Sequence, residues 1–434
     1  MCRLHMDIYD VAILGGGAAG LMAAIAAGER GRSTIVLEKN RRPGVKILMS
    51  GGTRCNITNA RGLHDLSVVS GPIDPAYDHS LARGARSVMD AFAPDGKFLG
   101  AALREFDVAA TIRFFESQGV RTKIEANGKI FPVSDRAADV LAALVRKAER
   151  SRVEIRTNHA ALDIESLSNR FLIRCSEGDV EAERVIVAVG GRSYPGCGTT
   201  GDGYAWARKF GHTIVEPRPA LVPLSLQDPR WTSLKGVTLN DVKASVQIGG
   251  KIVDERREAV LFAHFGVTGP AILDISRAIA RSDGSERAAL VLDLLPELSI
   301  DALDSQIRER ARSGKRSVAS LIPDSIPRRV ADELIDYAGI PHNRTGADLS
   351  RDERKRLVAA IKSLELVIAG TTGFAKAEVT RGGVTLSEID PRTCESKLCE
   401  RFYVVGEALD LDGRIGGYNF QAAFSTGRLA GRFE

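Results

Sequence analysis

Two glycine-rich loops at opposite ends of the chain hold the residues best suited to chemistry. Near the C-terminus, Tyr403-Val-Val-Gly-Glu-Ala-Leu-Asp-Leu-Asp-Gly-Arg-Ile-Gly-Gly-Tyr-Asn-Phe420 runs from a β-rich apolar stretch through a polar loop into a small, apolar helix pattern. Gly416-Gly417 lets backbone approach a planar ligand closely, because glycine has no Cβ to hold it away. The helix start beyond it would present free N–H donors and partial positive charge. Such surroundings stabilise negative charge developing on the N1/C2=O edge of a reduced isoalloxazine. Glu407 would accept a hydrogen bond from a ribityl or diphosphate-side hydroxyl. Taken alone, the stretch reads equally well as an ordinary strand-loop-helix with a polar turn.

The N-terminal loop is more explicit. Asp10 to Leu14 is a short buried-strand pattern leading into Gly15-Gly-Gly-Ala-Ala-Gly20, a G-x-G-x-x-G turn, and an Ala-rich helix pattern follows through Gly28. Thr34 to Glu38 then reads as a second strand ending in an acid, where a βαβ unit places its acceptor for a ribose 2′-OH. Gly15 serves the tight turn, Gly17 the pyrophosphate approach and Gly20 the helix packing, with Ala18 and Ala19 opening the helix. This half alone leaves FAD and NAD both open.

Two further residues are candidates for proton transfer. Cys55 lies in Ser50-Gly-Gly-Thr-Arg-Cys-Asn-Ile-Thr-Asn59, a loop too glycine-rich and polar to be a simple connector. Arg54 beside it would lower the thiol pKa if the two are close; the alternative is that Cys55 packs against the cofactor. His264, between Phe262 and Phe265, is the other candidate acid, and its plainer reading is a core histidine bonded to backbone.

The elements that must position these residues are consistent with 434 residues in two or three domains, at 44% hydrophobic and 26% charged composition. No apolar segment is long enough for a membrane span and no signal-peptide pattern opens the chain, so a cytoplasmic location is expected. The six cysteines, Cys2, Cys55, Cys175, Cys197, Cys394 and Cys399, form no C-x-x-C pair; free thiols and no metal site are expected. A net charge of +5 permits a polyanionic partner without demanding one. Leu63 to Phe115 reads as mostly helical, and Val153 to Leu172 as paired strands. Glu183 to Gly191 reads as a strand running into Gly190-Gly191. Prolines at 217, 219 and 223 mark a boundary. Residues 217 to 295 read as short strands, and 298 to 366 as charged helices. The fold class expected is α/β: a discontinuous Rossmann-like domain interrupted by an insert.

Four stretches, Asp10 to Gly20, Lys46 to Asn59, Val185 to Tyr204 and Gly373 to Gly427, together resemble the BaiN/RdsA family of bacterial NAD(P)/FAD-dependent oxidoreductases over essentially the whole chain. This sequence departs from the family's motifs at Thr53, where a third glycine is usual, at Ala263 and at Val189. The resemblance implies a glutathione-reductase-type FAD domain at 1–216 and 370–434. It also implies an inserted substrate domain at 217–369, with a β-barrel part at 217–297 and a helical part at 298–369. FAD would be surrounded by Gly190, Gly191, Asp202, Gly406, Glu407 and Gly416 through Phe420, that is Gly416, Gly417, Tyr418, Asn419 and Phe420. Lys39, Lys46 and Ala161 complete the cofactor-binding set.

Only one G-x-G-x-x-G is present, so NAD(P)H would visit the flavin transiently. Lys39, Arg41, Arg42, Lys46, Arg54 and Arg61 gather near the expected cofactor mouth and suit a phosphate-rich partner, either NADPH or RNA. The helical insert adds Arg308, Arg310, Arg312, Lys315 and Arg316 among interleaved acids, equally a solvated surface or an RNA contact. The first functional reading is reduction of a uracil C5=C6 bond in large-subunit ribosomal RNA to dihydrouridine. The alternatives are a small-molecule flavin oxidase or reductase acting on an amine or enone, and a non-enzymatic flavin-containing RNA-binding or redox-sensing protein.

Overall fold

The computed structural model describes residues 8–282, 284, 286–312 and 316–433; Cys2 and Lys315 lie outside them. The chain forms two compact units, Met1–Arg218 with Val379–Glu434, and Pro219–Glu378.

In the first unit, the apolar runs Ile8–Leu14 and Thr34–Leu37 are adjacent parallel strands, paired Val11 with Thr34 through Leu14 with Leu37. Strand order is Glu154–Arg156, Thr34–Leu37, Ile8–Leu14, Val180–Val187, Phe171–Cys175 and Ala161–Ser166. The strand Val180–Val187 changes partner along its length. Its first residues pair antiparallel with Phe171–Cys175, while Val185 to Val187 pair parallel with Phe402–Val404. The chain's last strand is thereby set beside its first parallel strands. Buried on both faces, Val11 to Leu14 and Ile35 to Leu37 need the continuous apolar runs the sequence supplies there. The stretch 63–84, expected to be helical, instead forms short 3-10 turns, Leu66–Val68 and His79–Leu81 among them. Asp65 and Asp78 explain this: each accepts a bond from the backbone N–H two residues on, which favours a turn over a continuing helix.

In the second unit, six strands close into a barrel in the order Leu224–Leu226, Gly266–Thr268, Lys251–Ala263, Thr238–Ile248, Ala288–Asp293 and Leu364–Thr371. Alternate residues Val242, Ala244 and Val246 point inward with Leu290, Leu292 and Leu366, joined in one core by Leu303, Leu334 and Leu357 of the helical part. Three expectations are corrected here. Two barrel strands are long, at 11 and 13 residues. A helix, Pro270–Arg281, lies within the span read as strands, with proline in its first turn and Ala271, Ile272 and Ile275 buried at helical spacing. The closing strand Leu364–Thr371 follows the helical part, so the compact units change at 379 where the sequence reading returned the chain at 370.

His212 fastens the last loop of the first unit. Its ring is buried between Glu388 Oε2 at 3.2 Å and Ser396 Oγ at 2.7 Å. Burial, only partly offset by Glu388, pushes its pKa below the ordinary 6.5. The unfolded chain therefore binds this proton more readily than the fold does. The stabilisation is complete above about pH 6.5 and declines as pH falls below it. Thermal midpoints measured between pH 7 and 5.2 should fall for the wild type and show a shallower slope in His212→Gln; parallel slopes would remove His212 as the cause.

Candidate functional site

The two glycine-rich loops meet through their helices. A Cβ on Gly427 would lie 2.2 Å from the Ala19 carbonyl oxygen, and one on Gly431 would lie 2.3 Å from that of Ala23. The helices Ala18–Glu29 and Tyr418–Ala430 thus run side by side in the same direction at glycine-limited distance. Gly427 is nine residues into its helix and Ala19 only one into its own. At 1.5 Å per residue, the Tyr418 end therefore projects about 12 Å beyond the Ala18 end. Neither N-terminus has a side-chain cap, since Gly17 and Gly417 occupy the cap positions. Two uncapped, positively polarised helix ends therefore face the same direction, offset along one line.

The polar loop after Ser50 is fastened to the second of these helices. Asn59 Nδ2 donates to the Gly416 carbonyl at 2.9 Å, and Thr58 Oγ1 donates to Gln421 Oε1 at 2.7 Å. Gln421 is fully buried and donates in turn to the Phe106 carbonyl and to Ser425 Oγ. Gly51, Gly52, Thr53 and Cys55 all have positive φ, that of Thr53 being 69°. Thr53 therefore holds, at a β-branched residue, a conformation that suits the glycine usual in the family motif.

Around these loops, acids and bases are paired within the protein. Glu407 accepts from Lys46 Nζ at 2.6 Å and from the Thr380 backbone N–H at 2.9 Å. Thr380 Oγ1 accepts from the backbone N–H groups of Arg192 and Ser193, so the turn after Gly190-Gly191 is tied to Glu407 through one threonine. Lys39 Nζ pairs with Asp202 at 2.5 Å, in the first turn of the helix Asp202–Lys209. Glu38, 7% exposed, accepts from the backbone N–H groups of Gly16 and Asn40.

A model of the HI0933-like protein Rossmann domain matches residues 9–71 and 79–433. The chain belongs to the HI0933-like family. It is 33% identical over 431 residues to the 3-dehydro-bile acid Δ(4,6)-reductase of Clostridium scindens, covering 97% of this chain and 98% of that enzyme. It is 30% identical over 425 residues to the ribosomal RNA dihydrouridine synthase of Escherichia coli, covering 97% and 96%. Both meet the resemblance drawn from the motifs. Among solved structures, the 3-ketosteroid-Δ4-(5α)-dehydrogenase of Rhodococcus jostii RHA1 aligns over 99% of this chain and 98% of that one, with TM-score 0.51 at 14% identity, a likeness of fold. The HI0933-like chain is an oxidoreductase with a Rossmann-like FAD-binding fold.

The residues present fit such a dinucleotide. Gly15, with φ of 100°, and Gly20, whose Cβ would sit 1.9 Å from the Gly15 carbonyl oxygen, are glycines for reasons internal to the protein. Gly17 is different. Its φ is −80°, and a Cβ there would meet nothing within 4 Å, so no contact among the described residues requires a glycine at this position. Ala161 begins the meander strand Ala161–Ser166. Asn419 spends its side chain on its own loop, bonding Gly413 N–H and the carbonyls of Gly413 and Arg414. What sequence reasoning missed is Thr380, whose role as a staple has no local signal, and Gln421, whose burial depends on a partner 363 positions away.

The expected direction of the Cys55 shift is reversed. Arg54 pairs with Glu125 at 2.6 Å and Asp135 at 3.3 Å and lies over the Phe131 ring. Cys55 is fully buried in one cluster with Ile57, Phe106 and Phe115, and burial pushes its thiol up to about 12. It holds its proton at neutral pH and packs. His264 is no core histidine: it is exposed in the turn between Lys251–Ala263 and Gly266–Thr268, with its ring edge-on to Phe265. Among the described residues the remaining cysteines are free, and no group of three or more His, Cys, Asp or Glu could hold a metal ion.

Two measurements test this packing. Thr53→Gly relieves the left-handed strain, partly offset by glycine's greater unfolded-state freedom, and should stabilise the protein by about 0.5–1 kcal/mol in urea. Gln421→Ala strips partners from buried Thr58 and Phe106 and should destabilise it by about 2–3 kcal/mol.

Proposed function

We propose that this oxidoreductase saturates the C5=C6 bond of a uracil in large-subunit ribosomal RNA, with FAD as bound cofactor and NAD(P)H as transient reductant. Its support is the pair of full-length relatives, each named for a reaction that saturates a carbon–carbon double bond conjugated to a carbonyl. FAD, when bound and reduced by NAD(P)H, would supply hydride to one carbon of such a bond, while a proton reaches the other.

The chain's own residues provide the surroundings. Gly17 and the N–H groups opening the Ala18–Glu29 helix receive the diphosphate. Glu38, held in place by Gly16 and Asn40, offers its remaining lone pairs to ribose hydroxyls. Gly416, Gly417 and the N–H groups at Tyr418 meet the ring edge, where the helix end stabilises negative charge. Glu407 is pinned by Lys46 and Thr380, so it orients the Gly190-Gly191 turn and the cofactor's middle. Cys55 supports this loop from the core.

The choice of RNA over a small molecule draws on charge. Lys39, Lys46 and Arg54 are neutralised by carboxylates, whereas the exposed side chains of Arg41, Arg42 and Arg61 have no ion-pair or hydrogen-bond partner among the described residues. An RNA backbone would engage several of them at once, whereas a small enone carrying one carboxylate would engage at most one. No helix among the described residues is long and apolar enough to cross a membrane, and an RNA substrate implies the cytoplasm. The second reading, reduction of a small conjugated enone, draws on the 33% identity to the bile acid reductase.

Nucleoside mass spectrometry of ribosomal RNA from a deletion strain should show loss of a dihydrouridine that returns with the wild-type gene. An unchanged dihydrouridine content, together with NAD(P)H-dependent reduction of a steroid enone by the purified protein, would replace the first reading with the second.

A further inference from the structure

The fold brings Arg61 near two cations that the sequence keeps apart from it. The Arg61 carbonyl accepts from the Arg83 backbone N–H at 2.8 Å, which sets these two arginines side by side. The neighbouring Ala60 N–H donates to the Gly128 carbonyl at 2.8 Å, and Asn59 stands opposite Lys129 in the strand pair. Arg61 Cγ lies 3.8 Å from where a Gly128 Cβ would be. Arg61 and Arg83 are exposed and Lys129 is half-buried. None of the three side chains has an ion-pair or hydrogen-bond partner among the described residues. The nearby acids are already engaged: Asp78 accepts from Ser80 N–H, and Glu125 pairs with Arg54.

One exposed aromatic ring, His79, completes the surface. Tyr77, only 3% exposed and with its hydroxyl unpartnered among the described residues, lies beneath the surface. The exposed His79 ring lies 5.6 Å from it, available to stack on a base. The same segment is tied through Asn59 to the Gly416 carbonyl, next to the proposed ring-edge residues.

We propose that Arg61, Arg83 and Lys129, with the exposed His79 ring, form a docking surface for the phosphate backbone of single-stranded RNA, holding the strand whose base enters the site. This rests on the RNA reading of the function. The shared phosphate chemistry also admits NADPH, so the test separates the two. Fluorescently labelled single-stranded RNA would be titrated against flavin-loaded protein over a series of salt concentrations. The probes are wild type, the triple variant Arg61→Gln/Arg83→Gln/Lys129→Gln, and a charge-matched control at exposed cations elsewhere, Arg113→Gln/Arg208→Gln/Lys251→Gln.

Loss of three phosphate contacts should weaken binding at least tenfold at low salt and make the log–log salt slope shallower by about two. The control, the thermal midpoint and the KM for NAD(P)H should stay near wild type. The inference is overturned if the triple variant binds RNA with the wild-type slope, if the control loses as much, or if only the NAD(P)H KM rises. Dihydrouridine formation by wild type alongside unaltered RNA binding by the triple variant would sink this surface and leave the proposed reaction standing. Selective RNA loss in an enzyme that forms no dihydrouridine would do the reverse.

Discussion

The contact on which the site depends is that between the helices Ala18–Glu29 and Tyr418–Ala430. With Gly427 and Gly431 against the Ala19 and Ala23 carbonyls, there is no room for any side chain at either glycine. Contacts this close fix the sliding register of two helices as firmly as their orientation. That register sets which backbone N–H groups face out and how far apart the two polarised ends stand. Segments some 400 residues apart in sequence thus present their helix starts along one line.

The loop from Ser50 to Asn59 depends on the same register. A Cβ at Gly417 would lie 2.6 Å from the Thr58 carbonyl, so the loop and the C-terminal helix start are in contact at backbone distance. Gln421, one helical turn on, then locks the loop through Thr58. A loop held at so many points can tolerate Thr53 in a left-handed conformation. The strain at Thr53 and the burial of Gln421 are two sides of one arrangement: the first is affordable only because the second over-determines the path.

Much of this was legible in the sequence where the governing constraint is local. Gly15, Gly17 and Gly20 announce a turn because their spacing is imposed by backbone sterics, and Glu38 follows at the end of a short apolar strand for the same reason. Charge pairing was not legible. Arg54 was expected to act on its neighbour Cys55, but adjacency in sequence places side chains in different directions, and Glu125 and Asp135 took the guanidinium. The helix Pro270–Arg281 was hidden because the reading there weighed turn residues and missed the spacing of Ala271, Ile272 and Ile275. Barrel closure by Leu364–Thr371 is a pairing with Leu224–Leu226, more than a hundred residues earlier, and leaves no local trace.

The same distinction bears on substrate class. A run of basic residues says little until the fold has assigned partners. Lys39, Lys46 and Arg54 sit in the basic stretch that drew attention, yet each is matched to a carboxylate and serves the architecture. Arg83 and Lys129 belong to no basic run and reach Arg61 only through backbone hydrogen bonds and strand pairing. An unpaired exposed cation costs little in water, so a single one carries no argument. Three from separate segments, beside the exposed His79 ring, are harder to assign to solvation alone. A bile acid offers such a surface a single carboxylate, whereas a ribose-phosphate strand offers an anion at every nucleotide. Within a family whose relatives are named for reducing both kinds of molecule, the charges left over after internal pairing are what the proposed RNA reading rests on.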